Sequence, residues 1–267
     1  MFESTDNNTR SDWFRTGGLG LLAGLLNGLI ALGGGVLITP MLVASGISPR
    51  VAVGTSLAAV TMLSTIGFTA HLLLEGIPLG TLPIAVSVVG GVIGTVIGSK
   101  LLARMTPHWM LLWLAALQIL IAIRLIDQGL GITGLGDTFH AATPPQWAYL
   151  GFGLFAGTMS AIFGVGGGAL VLLGLAAFYG VPIAEGLAIA LALNVTNALA
   201  GLVTHARAGR VRWGKVTRLI PGAILGIGLG AALAHALPVD AMRVMFGVFF
   251  LILGTSIARK GWAAARN

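Results

Sequence analysis

Ala31-Leu32-Gly33-Gly34-Gly35-Val36 and, 133 positions later, Gly164-Val165-Gly166-Gly167-Gly168-Ala169 each interrupt an apolar run of membrane-crossing length. Consecutive glycines have little helix propensity and can take positive φ, so both runs are expected to break there rather than continue as one helix. The same offset carries Pro49 onto Pro182 and Gly76 onto Gly209. Further on, Gly94 and Gly98 match Gly226 and Gly230 at an offset of 132, and Pro107 matches Pro238 at 131. Ordered landmarks with so little drift indicate a duplicated unit.

Composition places that unit in a membrane. Of 267 residues, 56% are hydrophobic and 9% charged, against about 25% charged in ordinary soluble domains. So few charges cannot coat a soluble globule, and the mean hydropathy of +0.96 agrees. The apolar segments are long and apolar on all sides, which excludes the short alternating strands of a transmembrane β-barrel. The net charge of +7 comes from basic residues beside apolar segments, with no basic domain, so nucleic acid is not an expected partner. With no cysteine, disulfides, thiolate chemistry and Cys-ligated metals are excluded.

The hydropathy pattern is the same in both halves. Leu19 to Ala44 is broken by the first glycines, and plain segments follow at roughly Val51–Leu74, Leu82–Leu102 and Trp109–Ile126. Ala148 to Phe178 is broken by the second, and Ile183–Thr204, Val216–Leu237 and Ala241–Ala258 follow. The expected organisation is one integral membrane domain: a tail over 1–16, repeat 1 over 17–126, a linker over 127–146, repeat 2 over 147–259 and a tail over 260–267. The first 16 residues mix Glu3, Asp6 and Asp12 with Arg10 and Arg15, unlike the basic start of a signal peptide, so the N-terminus is expected to be retained.

Lys and Arg distinguish two topologies. If both broken stretches cross, eight spans put Arg50, Lys100, Arg104 and Arg243 opposite the termini. If each enters, turns at its glycines and returns, six spans remain, the second repeat is inverted, and only Arg124 and Arg243 lie opposite. The second arrangement follows the positive-inside rule more closely and keeps both termini cytoplasmic. The expected fold is therefore an all-α polytopic membrane protein of two homologous, inverted repeats, each a Gly-broken helix pair plus three transmembrane helices.

Broken backbone survives in hydrocarbon only where protein buries it or a polar cavity accepts it, and discontinuous helices are recurring substrate sites of secondary transporters. New half-helices are expected near Val36 and Ala169, with unpaired N–H groups and partial positive charge aimed at a small anion. Gly33, Gly34, Gly35, Gly166, Gly167 and Gly168 are thus candidate substrate-binding residues. Asn194, Asn197, Gly201, Thr204 and His205 fall within about 100° of one another on one helix face. The repeat places Thr61 and Ser64 opposite Asn194 and Asn197, and Asn27 opposite Ser160. Amides and hydroxyls can donate to an oxyanion without fixing a charge, which adds Asn194, Asn197, Thr61, Ser64 and Asn27 to the candidates; interhelical hydrogen bonding is the other use for such residues. Gly90, Gly91, Gly94 and Gly98, with Gly222, Gly226, Gly228 and Gly230, suit close helix packing, within the chain or between copies in a homo-oligomer.

His71 and His205, near segment ends, are the candidates for proton coupling. No Asp or Glu lies deep in a span, which argues against a Na⁺ or Ca²⁺ carboxylate cage. Gly164 to Ala169 fits the dinucleotide pattern G-x-G-x-x-A, but that pattern needs an aqueous βαβ unit and this copy lies in a membrane-length apolar run. No H-E-x-x-H or G-x-S-x-G motif occurs. An enzyme is not expected, and neither a metal nor a cofactor is called for.

Two four-segment halves, each opening on a Gly-rich break, resemble the TauE/SafE sulfite exporter family over roughly Gly17 to Arg259. Its Gly-Gly-Gly stretch with a following proline matches Gly33 to Gly35 and Pro40, whereas the second half has Leu173 where the proline would stand. The resemblance implies transport of sulfite, an organosulfonate such as sulfoacetate, or a related small anion across the bacterial inner membrane; the expected mechanism is alternating access, one half rocking against the other around an anion held by the glycine breaks, with export the expected direction. The partners it implies are a small anionic substrate, the lipid bilayer and protons. The contrasting reading is a non-transporting membrane scaffold or sensor, whose polar stripes would satisfy one another.

Overall fold

The computed structural model describes residues 10–30, 35–74, 81–132, 144–179, 181, 183–234 and 238–266. Among them the chain forms ten helices and no strand: α1 (Arg10–Ile30), α2 (Gly35–Ala44), α3 (Pro49–Leu74), α4 (Thr81–Arg104), α5 (Pro107–Leu130), α6 (Gln146–Phe163), α7 (Gly168–Tyr179), α8 (Ile183–Arg207), α9 (Trp213–Ala234) and α10 (Val239–Arg266). Helices α3, α4, α5, α8 and α10 contain stretches long and apolar enough to cross a membrane. This is the all-α polytopic architecture expected, with both apolar runs broken at their glycines.

Local chemistry sets the boundaries. Pro107 opens α5 after an extended Thr106, and Pro145 stands at the N-cap of α6, where a missing N–H costs nothing. Gly131 (φ 63°) and Gly164 (φ 72°) close α5 and α6 in the left-handed conformation. Helix α5 runs a turn beyond Ile126, where the linker was expected to begin at Asp127. The Arg124–Asp127 ion pair at 3.0 Å stabilises that added turn. Helix α10 likewise runs on to Arg266, through most of the segment expected as a tail. Lys260 on it is anchored, its Nζ donating to Val43 O and Ala44 O at 3.1 Å each. Hydropathy marks only the apolar part of such helices, so polar end turns escape it.

Glycine determines the packing. Helices α1 and α9 run side by side in the same direction: Gly20 lies against Leu219, Gly24 against Ala223, and Gly222 and Gly226 against the backbone of Gly17 to Leu25. Helices α4 and α6 repeat this, with Ser87 against Gly153, Gly91 against Gly157 and Gly98 against Thr158. In each pair a Cβ would collide with the partner's backbone, so these glycines are the small residues that let membrane helices touch. Helices α5 and α10 pack antiparallel, Gly129 meeting Val244 and Gly261 meeting Leu111. Helices α3 and α8 do the same, Gly54 meeting His205 and Gly201 meeting Leu57. The two halves of the chain are therefore interleaved: each broken stretch clamps its first arm to a helix of the other half.

The ends sort into two groups. At one, Arg50 Nη2 donates to Met105 O at 2.7 Å, the Arg212 N–H to Thr55 Oγ1 at 3.2 Å and Lys215 Nζ to Thr16 Oγ1 at 3.3 Å. With the Lys260 contacts, these bring the start of α1 and the end of α2 to the same end of the bundle. The mirror situation holds for α6 and α7: Phe152, near the start of α6, meets Tyr179, at the end of α7, edge-on at 6.4 Å. Each broken stretch thus returns to the end of the bundle from which it starts.

Candidate functional site

The tips of the two broken stretches meet inside the bundle. Gly35, the first residue of α2, lies so close to Gly164 O and Val165 that any Cβ would collide with them. Gly164, Gly166 and Gly167 have φ of 72°, 78° and 92°, the left-handed region that side chains rarely tolerate. Three such residues within four positions turn the chain from α6 into α7 while its backbone stays buried. Its polar groups therefore need partners from neighbouring helices.

Those partners are specific. The Gly164 N–H closes α6 on Ser160 O at 2.7 Å, and Gly164 O accepts from Ser56 Oγ at 2.9 Å, with Thr39 Oγ1 at 3.5 Å. Asn194 Oδ1 accepts the Gly168 N–H at 2.7 Å, capping α7 from outside its own sequence. Asn197 Nδ2 donates to Gly166 O at 3.2 Å. Asn194 and Asn197 stand three residues apart on α8, so one helix face holds both sides of the break. Gly91 of α4 leaves the space that Asn197 Oδ1 occupies. Ser56, Ser160, Asn194 and Asn197 are all buried.

Several polar groups stay unused at this place. Asn197 Oδ1 and Ser160 Oγ are buried without a hydrogen-bond partner among the described residues. The N–H groups of Gly166 and Gly167 donate to no backbone carbonyl among those residues. The NH₂ of Asn194 makes no hydrogen bond there either. Donors at a helix N-terminus, beside a spare amide and in a dry interior, constitute the chemistry that recognises an oxyanion.

The sequence candidates divide accordingly. Gly35, Gly166, Gly167, Gly168, Asn194 and Asn197 come together. Gly33 and Gly34 lie outside the described residues, as do the side chains of Asn27 and His71. Thr61 follows Val60, which reaches Gly166, but its hydroxyl turns back to Leu57 O at 2.7 Å within its own helix. Ser64 is buried one turn further along α3. His205 is buried against Gly54, the neighbour of Val53 on which Gly164 packs, so it stands beside the α6 end of the second break although it lies eight residues, or about 12 Å, along α8 from Asn197. By sequence both asparagines are candidates for anion donation or for interhelical hydrogen bonding; here Asn194 uses its acceptor and Asn197 one N–H on the break's own backbone.

Ser56 and Thr39 escaped the sequence reading. Ser56 continues the buried face through Val60 and Ser64 at intervals of four, a signal that was present. Thr39 lies one turn beyond Gly35. Lys215 was counted only as a topogenic charge, yet with Thr16, Met41, Ala44 and Ser45 it lines a cavity of about 550 Å³. Lys260 holds the nearby C-terminal carbonyls of α2, offsetting the negative helix end that would otherwise face an anion there.

The sulfite exporter TauE/SafE family model matches residues 16–261. The probable membrane transporter protein YunE of Bacillus subtilis (strain 168) is 24% identical over 264 residues, covering 91% of this chain and 96% of that protein. Sulfite exporter TauE/SafE family protein 1 of Arabidopsis thaliana is 36% identical over 88 residues, 32% of this chain and 20% of that protein. The probable membrane transporter protein YjnA of Bacillus subtilis (strain 168) is 42% identical over 53 residues, 20% of this chain and 21% of that protein. No solved structure matches.

Proposed function

The chain belongs to the sulfite exporter TauE/SafE family of membrane transporters, and from that premise we propose that it exports a small sulfur oxyanion or organosulfonate, such as sulfite or sulfoacetate, by alternating access. The carrying observation is the meeting of the two glycine breaks, where the Gly166 and Gly167 N–H groups and the Asn194 NH₂ remain for a ligand. The anion binds between Gly33 to Gly35 and Gly166 to Gly168, with Asn194, Asn197, Thr61, Ser64 and Asn27 around it. The buried and unpartnered Asn197 Oδ1 and Ser160 Oγ weigh against a scaffold whose polar stripes satisfy one another.

In this reading the moving parts are pairs of helices drawn from both halves of the sequence. Backbone-to-backbone packing locks α1 to α9 and α4 to α6, so the units that rock are these mixed pairs, turning against the α3–α8 pair that carries Ser56, Asn194 and Asn197. The repeats are inverted in this reading, supported by the return of α2 to the end where α1 starts and of α7 to the end where α6 starts. The basic end of the bundle faces the cytoplasm of a bacterium, with both termini on that side. There the cavity beside Lys215 collects the anion, and Lys215→Gln should slow uptake into it most at low ionic strength. His71 and His205 are the residues to test for proton coupling.

The deciding experiment is flux in proteoliposomes, comparing sulfite, sulfoacetate, sulfate and chloride across an imposed pH gradient. Selective sulfite or sulfonate movement is expected, and its response to the gradient reports the coupling. Folded, inserted protein that moves none of these anions would overturn the assignment. An unchanged pH dependence in His71→Ala would remove that histidine as the coupler.

A further inference from the structure

Beside the second break, on the membrane face, the end of α4, helix α5 and the last two turns of α6 enclose an apolar crevice of about 710 Å³. Its floor follows one face of α5 from Trp109 through Trp113 to Leu120, positions at helical spacing, and Phe155 and Ile162 of α6 form the far wall. Trp109 and Trp113 are 53% and 58% exposed. The eleven steps of helix from Trp109 to Leu120 rise about 16 Å, close to the depth of one leaflet's hydrocarbon. One end of the crevice is charged. Arg104 lines the rim beside Thr106, and Lys100, one turn earlier on α4, is also exposed. Among the described residues neither cation has an acidic partner.

A slot one leaflet deep, apolar along its length and cationic at its mouth, matches a molecule with a long hydrocarbon tail and a negative head. We propose that the crevice seats an anionic phospholipid, one acyl chain lying along Trp113 and Leu120 and the headgroup phosphate held by Arg104 and Lys100. Trp109 sits at the level of the headgroups, where aromatic side chains of membrane proteins gather. The charge complementarity selects the lipid over a second copy of this chain, which would bring an apolar face and leave both cations unanswered. The chain would also rest on Ile162 and Phe163, the residues that lead directly into Gly164, so its occupancy steadies the arm entering the second break.

The test uses the full chain reconstituted in vesicles containing a low mole fraction of brominated phosphatidylglycerol or, separately, brominated phosphatidylcholine. Bromine quenches indole on contact, and the difference between wild type and the Trp109→Phe/Trp113→Phe protein isolates the two crevice tryptophans. Quenching should favour the anionic lipid, and Lys100→Gln and Arg104→Gln should each reduce that preference about fivefold. Both substitutions are on the exposed end of α4, and the wild-type comparison stands without them. Equal quenching by the two lipids overturns the proposal, as does a preference unaltered in the Lys100→Gln/Arg104→Gln protein. If neither lipid quenches and a single Leu120→Cys protein, cysteine-free elsewhere, forms a disulfide between copies, the crevice is a homo-oligomer interface and the proposal falls.

Discussion

The two glycine breaks share a sequence pattern 133 positions apart, yet the chain holds them differently. At the second, Asn194 caps the first N–H of α7 and Asn197 grips Gly166 O, both from α8. At the first, Thr61 and Ser64 occupy the corresponding places on α3, and the Thr61 hydroxyl satisfies its own helix at Leu57 O. The helices that follow also differ: α2 contains Pro40 and has its far end tied by Lys260, while α7 has no internal proline. The other two side chains of α3 and α2 that act here, Ser56 and Thr39, reach across to Gly164 of the second break. The polar chemistry is thus divided unequally, and the identified side-chain anchors converge on the second break. A ligand held between the two breaks, as proposed, would therefore meet them unsymmetrically.

The largest expected effect tests the backbone device itself. Gly167→Val places a branched side chain at φ 92° with its Cβ 2.6 Å from Ala156 O. Left-handed strain alone costs on the order of 1–3 kcal/mol, and the collision adds to it. Transport should be abolished while membrane insertion persists, and Gly34→Val should do the same if the first break matters equally. Flux assays on both, with insertion checked by protease accessibility, decide whether the breaks are functionally equivalent; unaltered flux in either would remove that break from the site.

Next comes the cap. Asn194→Ala leaves the Gly168 N–H buried and unsatisfied, a loss of about 1–3 kcal/mol, whereas Thr61→Ala removes only an intrahelical bond and should cost under about 0.5 kcal/mol by the usual scale of surface-like changes. Thermal melts in detergent should therefore separate the two sharply, and equal shifts would erase the asymmetry drawn above. Asn194→Asp keeps an acceptor for the Gly168 N–H but removes the spare NH₂ and adds negative charge. It should hold the fold better than Asn194→Ala and still transport poorly.

Ser56→Ala tests the link between the halves, because it strips Gly164 O of its 2.9 Å donor. A destabilisation of about 1 kcal/mol is expected, visible as a lowered melting temperature. The smallest effect distinguishes packing glycines from idle ones. A Cβ at Gly94 would collide with Leu154 O, whereas at Gly228 nothing lies within 4 Å. Gly94→Ala should loosen the α4–α6 pair, and Gly228→Ala should be neutral or stabilise by up to about 1 kcal/mol through helix propensity. If Gly228→Ala is the more harmful, that glycine packs against something outside this chain.

The sequence made the membrane class and the two breaks legible because each rests on local or bulk properties. Apolar runs of bilayer length and three adjacent glycines need no knowledge of what touches what. It also picked out Asn194 and Asn197, since two amides on one apolar helix face have little reason to be there unless something polar meets them. It could not give their hydrogen bonds. Whether an amide faces a ligand or its own protein's backbone depends on which helix lies opposite, and that is a long-range fact. The same holds for Ser56, whose acceptor is 108 positions away, and for Lys215, read from sequence only as a charge. Interleaving was invisible for this reason too: the glycines of α1 and α4 announce close packing without naming a partner, and only assembly pairs them with α9 and α6. Periodicity and composition report each segment's relation to its solvent, here lipid. The meeting of two broken backbones is a relation between segments, fixed when buried N–H and C=O groups find partners far away in the chain.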